Sequence, residues 1–289
     1  MHGFLNIDKP AGMTSHDVVA RVRRIARQRR VGHAGTLDPA ATGVLVVALG
    51  AATRLIEYVQ DQTAKRYLAV VRLGASTTTD DAEGEVVATA PLPPLDEAAL
   101  ERTLAAFRGQ VLQVPPMYAA LHHEGRRLHE LARAGVTVER PPRPVTIERL
   151  ELLAWDPPLL TLDVLCGKGT YIRALARDIG AALGCGGHLA ALRRTAVGTF
   201  TVETAVPLER LEDQVTLSQA LLPPEHAVAD WPAVRLDEAA ARRTRNGQPL
   251  ILPGQVAARA RAHAPDGSLL ALLVRDGDIY RPVKVFDWT

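Results

Sequence analysis

A glycine-punctuated loop that runs directly into six aliphatic residues constrains this chain more than any other feature. Residues 32–45 read Gly-His-Ala-Gly-Thr-Leu-Asp-Pro-Ala-Ala-Thr-Gly-Val-Leu, and Val44 to Leu49 continues as an apolar strand. Such a strand needs a core, and it anchors the loop fused to it. Gly32, Gly35 and Gly43 allow backbone angles and close approaches that other residues resist, while Pro39 pushes Asp38 out of helical geometry. One carboxylate is thereby presented on a turn, with the polar groups of His33 and Thr36 within five residues of it. That is the layout of an active-site loop. Asp-Pro also starts ordinary turns, so the loop alone leaves a purely structural role open.

The preceding segment adds a charge argument. No acidic residue occurs from Val18 to Leu37, yet Arg21, Arg23, Arg24, Arg27, Arg29 and Arg30 fall within ten positions. Thr14 and Asp17 have capping-box spacing, and Val18, Val22 and Ile25 repeat at i, i+4 and i+7, which predicts a helix with arginines over its remaining faces. Unpaired like charges at this density repel one another. Such a field attracts polyanions, with a solvated helix face as the plain alternative.

The length of 289 residues suits one large domain plus a small one, and 47% hydrophobic with 23% charged residues predicts a soluble globule. No run of eighteen apolar residues exists, and Asp8 and Lys9 interrupt the start of the chain. These features predict a cytoplasmic protein without a membrane span or secretion signal. Cys166 and Cys185 are too few for a disulfide framework or a four-cysteine zinc site, and Cys185 near His188 reads as a core thiol beside a loop histidine. Neither a metal nor a cofactor is expected. Net charge is only +2, so basicity is local. Of the four lysines, Lys9, Lys65 and Lys168 sit in the segments that look chemical, which hints that a compact ammonium is needed there.

Further along, Tyr67 to Leu73 alternates as a strand with Tyr67, Ala69 and Val71 on one face, and an acidic turn follows at Ser76 to Gly84. A helix is predicted from Asp96, with Leu100, Leu104 and Phe107 on its apolar side and Gly109 as its stop. Residues 113–144 hold Pro115, Pro116, His122, His123, Arg126, Arg127, His129, Arg133, Arg140 and Arg143 around a short helix ending near Gly135. This basic excursion is suited to gripping a phosphate backbone, unless it is an ordinary exposed insertion. Leu159 to Cys166 predicts a buried strand. Gly167-Lys168-Gly169 then turns into a helix bearing Ile172, Leu175, Ile179 and Leu183, ended by Gly184. The Walker spacing fails, because no glycine stands five residues before Gly167 of the Gly167-Lys168 pair. Arg173 lies off the apolar stripe, free to bridge toward a carboxylate elsewhere. His188, Leu189, Leu192, Arg193 and Arg194 form a second basic and aliphatic patch. After Trp231-Pro232, turn signals at 265–267 and 276–277 separate short aliphatic runs, predicting hairpins in a small β-barrel.

Six separated motifs now carry a resemblance. The Asp38 loop, Lys9-Pro10-Ala11-Gly12-Met13-Thr14-Ser15, Lys65-Arg66-Tyr67, Pro116-Met117-Tyr118-Ala119-Ala120-Leu121, Gly169-Thr170-Tyr171-Ile172-Arg173 and Leu192-Arg193-Arg194 follow in the order seen in bacterial tRNA pseudouridine-55 synthases. The chain resembles the TruB family over roughly residues 4 to 255, and its C-terminal segment resembles a short PUA domain, an RNA-binding β-barrel. One departure is visible. The family commonly has Thr-Asp-Thr in the acidic turn, whereas this chain reads Thr77-Thr78-Thr79, with Asp80 and Asp81 beside it.

The resemblance implies an α+β fold. A catalytic domain at 1–231 would be built on a mixed, mainly antiparallel sheet flanked by helices, with the insertion at 113–144 gripping RNA and a PUA-like β-barrel at 232–289. It implies isomerisation of uridine-55 in the T-loop of tRNA to pseudouridine, which breaks the N1–C1′ bond, turns the uracil and joins C5 to the same sugar carbon. One carboxylate suffices, either attacking sugar or base or relaying a proton as a glycal forms. Asp38 would be that residue, Arg173 its bidentate partner, and Tyr67 the ring stacked on the target uracil. Flipping out a stacked base costs about a few kcal/mol. His33 would occupy the vacated stack, while Tyr171, Ile172 and Leu192 would line the pocket and exclude water. Lys9, Arg193, Arg126 and Arg127 would contact RNA, and the enzyme would act on the tRNA T-arm as a monomer without a protein partner.

Three alternatives compete. A retaining glycosidase needs a second carboxylate about 5 Å away, and no acidic residue is an obvious partner to Asp38. An RNA-binding or tRNA-folding chaperone predicts the same basic patches without chemistry. A guide-RNA-dependent synthase would act with protein partners, whereas the 113–144 excursion favours a stand-alone enzyme.

Overall fold

The computed structural model describes residues 1–119, 122–123, 126–127, 136, 138–254 and 257–288, with the side chains of Gln62, His122, His123, Arg126 and Arg127 outside the described set. The aliphatic run after the Asp38 loop becomes a strand buried along its whole length beyond Thr42, and the rest of the fold is laid around it. In chain order the strands are β1 (Gly3–Lys9), β2 (Val31–His33), β3 (Thr42–Leu49), β4 (Lys65–Leu73), β5 (Ala75–Thr77), β6 (Val86–Thr89), β7 (Gly109–Gln113), β8 (His122–His123) and β9 (Arg126–Arg127). Then come β10 (Arg143–Asp156), β11 (Leu159–Cys166), β12 (Gly187–Val197), β13 (Phe200–Thr201) and β14 (Val206–Pro207). Ten of them form one sheet in the order β14-β1-β3-β12-β4-β11-β10-β7, with β2 beside β3 and β13 beside β12. Only the β1/β14 and β12/β3 pairs are parallel, so the sheet is mixed and mainly antiparallel, as expected.

Helices cover this sheet by burying the stripes read from the sequence. Helix α1 (Ser15–Ala26) starts at a capping box in which Asp17 N donates to Thr14 Oγ1 at 3.1 Å and Thr14 N donates to Asp17 Oδ2 at 2.9 Å. It buries Val18, Val19 and Val22 against Leu45, Val47 and Leu49 of β3. Two of the six arginines serve the fold, Arg23 donating to Val31 O and Arg30 to Thr53 Oγ1, while Arg24, Arg27 and Arg29 stay exposed. Helix α2 (Ile56–Gln62) precedes β4, and α3 (Glu97–Ala105) begins where expected, with Asp96 capping Ala99 N and Leu100 and Leu104 buried. Helix α4 (Ile172–Ala182) lies against β12 and β4 and buries Leu175, Ala176 and Ile179 in the largest core cluster. A short α5 (Gln214–Gln219) completes the layer beside α1.

The small C-terminal unit holds α6 (Glu238–Arg245) and a four-stranded sheet, β15 (Ala233–Arg235), β16 (Arg259–His263), β17 (Leu269–Asp276) and β18 (Ile279–Val285), in that order. The two predicted hairpin arms are β17 and β18, whereas β15 and β16 pair in parallel. Strand β17 has two apolar faces, and a break in its pairing with β16 at Leu270 interrupts simple alternation. Leu270, Ala271 and Leu273 join the unit's own core, while Leu269 and Leu272 reach, with Phe286, a cluster containing Val44, Val46, Val228 and Trp231 of the large domain. Polar ties reinforce the contact: Arg54 Nη1 donates to Val285 O at 2.6 Å, and Lys284 Nζ donates to Arg54 O at 2.8 Å and pairs with Glu57. Among the described residues no helix is long and apolar enough to cross a membrane.

Candidate active site

The Asp38 loop is held rigidly by cations whose charge is satisfied by backbone carbonyls. Arg194, on β12 directly opposite Gly43, is 2% exposed, and it donates from Nε to Val44 O at 2.7 Å and from Nη2 to Gly35 O at 3.0 Å. Gly43 is obligatory at this crossing, because its φ is +97° and an added Cβ would lie 2.2 Å from Arg194 O. On the other side Lys9 is 0% exposed, and its ammonium donates to Pro10 O at 2.9 Å, Met13 O at 2.6 Å and Pro39 O at 3.1 Å. Leu37 N donates to Ser15 Oγ at 2.9 Å, tying the loop to the start of α1. Asp38 is thus fixed from both flanks.

Arg173 meets it from the first turn of α4. Its Nε lies 3.0 Å from Asp38 Oδ2 and its Nη2 3.3 Å from Oδ1, a two-point pair. The same guanidinium donates to Tyr118 O at 2.7 Å and Thr79 O at 3.2 Å and lies 3.6 Å from Asp81. Next along the helix, Arg177 pairs with Asp80 at 2.9 Å. The acidic turn that lacks a carboxylate at Thr78 therefore presents Asp80 and Asp81 to the two arginines instead.

Beside the pair opens a cavity of about 430 Å³ whose wall includes Tyr67, Tyr118, Tyr171, Ile172 and Leu192. Burial in this cleft raises the Asp38 pKa above the ordinary carboxylate value, against the opposing pull of Arg173. Burial likewise raises the Tyr67 phenol, with Arg194 pulling the other way, so the ring stays protonated at neutral pH. Lys65, buried at the same cavity, donates to Gln60 O and to Thr63 O, and desolvation lowers its pKa.

The structure therefore brings Asp38, Tyr67, Tyr171, Ile172, Arg173 and Leu192 together at one cavity. Others lie elsewhere. Lys9 cannot contact RNA, since its ammonium is wholly enclosed and spent on the loop. Arg193 points away from its neighbours Leu192 and Arg194, as strand alternation requires, and pairs with Asp8 at 2.8 Å. His33 sits outside the cavity wall, edge-on to His16 with ring centroids 5.3 Å apart, and burial pushes its pKa down to about 4. The backbones of Arg126 and Arg127 pair with His122 and His123, but their side chains lie outside the described residues, as does the helix expected near Gly135. The second basic patch dissolves: Arg194 is buried under the loop, and His188 is buried with Nδ1 2.9 Å from Ala75 O. Asp81 and Tyr118 were named in the sequence without a role at the site, and the clasping role of Arg194 was not read from it. An arginine two positions after a pocket leucine on one strand was the available signal for Arg194.

Comparison with known proteins places the chain in a family. Residues 23–172 match the model described as TruB family pseudouridylate synthase (N terminal domain). Residues 173–229 match the tRNA pseudouridylate synthase B C-terminal domain, and residues 231–287 match tRNA Pseudouridine synthase II, C terminal. A tRNA pseudouridine synthase B from Syntrophomonas wolfei subsp. wolfei is 45% identical over 297 residues, covering 99% of each chain. Its namesake from Thermobifida fusca is 48% identical over 292 residues, covering 98% of each. Among solved structures, a chain from the crystal structure of a Cbf5-Nop10-Gar1 complex superposes with a TM-score of 0.75 at 26% identity, over 99% of this chain and 85% of that one. From the six ordered motifs, the mixed sheet and these full-length matches, this chain belongs to the TruB family of pseudouridylate synthases.

Proposed function

We propose that this chain isomerises uridine-55 in the T-loop of tRNA to pseudouridine, with Asp38 as its essential carboxylate. The observation that carries the reading is the two-point Asp38–Arg173 pair set beside a cavity walled by Tyr67, Tyr171, Ile172 and Leu192. The names of the relatives support tRNA as the substrate. Arg173 aims Asp38 and favours its ionised form, pulling against the desolvation that raises its pKa. Tyr67 stacks on the flipped uracil and assists proton transfer, while Tyr171, Ile172 and Leu192 exclude water that would capture the detached sugar. His33, neutral at physiological pH, occupies the vacated stack as an uncharged ring. Arg24, Arg27 and Arg29 on and after α1, the 113–144 excursion and the C-terminal unit hold the T-arm through phosphates and shape, so residues 1–231 supply the chemistry and 232–289 add RNA contacts.

The test is tritium release from a tRNA transcript labelled at uridine C5, because isomerisation must expel that hydrogen. Wild type should release it rapidly, with release lost when the T-loop uridine is changed. Asp38→Asn should release none while binding tRNA within a few-fold of wild type. Turnover by Asp38→Asn would remove Asp38 from its role, and tight binding without release by wild type would leave an RNA-binding protein.

A further inference from the structure

Gln113 ends β7 where the chain leaves for the excursion, and the residue is 4% exposed. It clips onto one residue of the cavity wall from both sides: Nε2 donates to Tyr171 O at 3.1 Å, and Oε1 accepts from Tyr171 N at 2.9 Å. The two bonds fix the orientation of the amide, since neither survives its rotation. Tyr171 is the residue at which α4 begins, in extended backbone and without a side-chain cap of its own. Its carbonyl also accepts the Leu175 N–H at 3.0 Å, so the clip acts on the first turn of the helix that carries Arg173. The same limb is fastened to α4 twice more, by Arg177 Nη2 on Val114 O at 2.9 Å and Arg173 Nη2 on Tyr118 O at 2.7 Å. Of these three ties, only the one at Gln113 uses a side chain from the limb.

We propose that Gln113 is a positioning residue. It docks the limb leading into the basic excursion onto the start of α4, and so holds Tyr171 in the cavity wall and Arg173 square to Asp38. The inference rests on the reading that Asp38 and Arg173 carry the chemistry. A displacement of a catalytic group by about 1 Å costs on the order of 100-fold in rate, whereas substrate affinity, spread over many phosphate contacts, is little affected.

Gln113→Leu and Gln113→Glu would be compared with wild type and Asp38→Asn in single-turnover tritium release at saturating tRNA, with tRNA affinity and thermal unfolding measured in parallel. Gln113→Leu should lose about 100-fold in rate with affinity within about three-fold of wild type. Gln113→Glu carries a test independent of any folding loss. As a carboxylate it accepts the Tyr171 N–H but repels Tyr171 O, and as a neutral acid it both accepts and donates. Its rate relative to wild type should therefore rise as pH falls, with a midpoint lifted by burial above the usual glutamate range. A Gln113→Leu rate within about three-fold of wild type would overturn the proposal. So would rate and affinity falling in step with thermal stability, or a flat Gln113→Glu ratio across pH. Turnover by Asp38→Asn would instead overturn the reading of the site, and the role of Gln113 with it.

Discussion

Burial and the Arg173 guanidinium act on Asp38 in opposite directions, and burial prevails. Its folded pKa is raised, so the ionised form needed as nucleophile or base exists above that pKa and is lost as pH falls through it. The acid limb of the single-turnover rate should accordingly have its midpoint above the ordinary aspartate value. Arg173→Lys keeps the charge but loses the planar fork that meets both carboxylate oxygens. It should lower the rate by roughly 100-fold, move the acid midpoint further up, and leave tRNA affinity nearly unchanged. Rate–pH profiles beside binding isotherms check this, and equal loss of rate and affinity would make Arg173 an RNA contact. His33, expected in the vacated stack rather than in the pocket, lies outside the cavity wall and packs edge-on against His16.

At the scale of elements, the loop depends on a crossing of two strands. The Arg194 side chain reaches back from β12 to carbonyls at both ends of the loop, and this needs the β12 backbone to pass directly over Gly43. Gly43→Ala would force a Cβ to within 2.2 Å of Arg194 O at a φ of +97°. We expect a loss of more than about 2 kcal/mol, read from denaturant unfolding, together with loss of turnover as the loop shifts. A stable and active Gly43→Ala would show that the crossing tolerates displacement. Lys9 and Lys65 act in the same style, each anchoring a neighbouring turn through carbonyls. Two of the scarce lysines singled out in the sequence are therefore structural anchors. Lys168 differs, being exposed and 3.6 Å from Asp61.

Across the whole molecule, the C-terminal unit and the sheet domain share one apolar cluster. Deleting residues 232–289 would uncover Trp231, Val228 and the neighbouring face of β3, so it would cost stability as well as RNA contacts. A point change separates the two effects. Phe286 is 4% exposed, stacks on Trp288 at 4.9 Å and lies under the Arg54 guanidinium. Phe286→Ala should cost about 3 kcal/mol, lowering the melting temperature while the folded fraction keeps its single-turnover rate. An unchanged melting temperature would show that the two units do not support one another.

Local order was largely written in the sequence. The capping box of α1, the alternation of Tyr67, Ala69 and Val71, the burial of β11 and the helix carrying Arg173 all follow from spacings within a few residues, where periodicity and capping act. The motifs likewise named Asp38, Tyr67 and Arg173. Long-range pairing decided the rest. A cation on a strand can face RNA or its own backbone with the same neighbours in sequence, and only the packing of β12 on β3 turned Arg194 inward to the loop. Enclosure did the same for Lys9, and the meeting of β7 with the start of α4 gave Gln113 its partner. These outcomes depend on which carbonyls approach from 30 to more than 150 residues away, information that no local spacing contains.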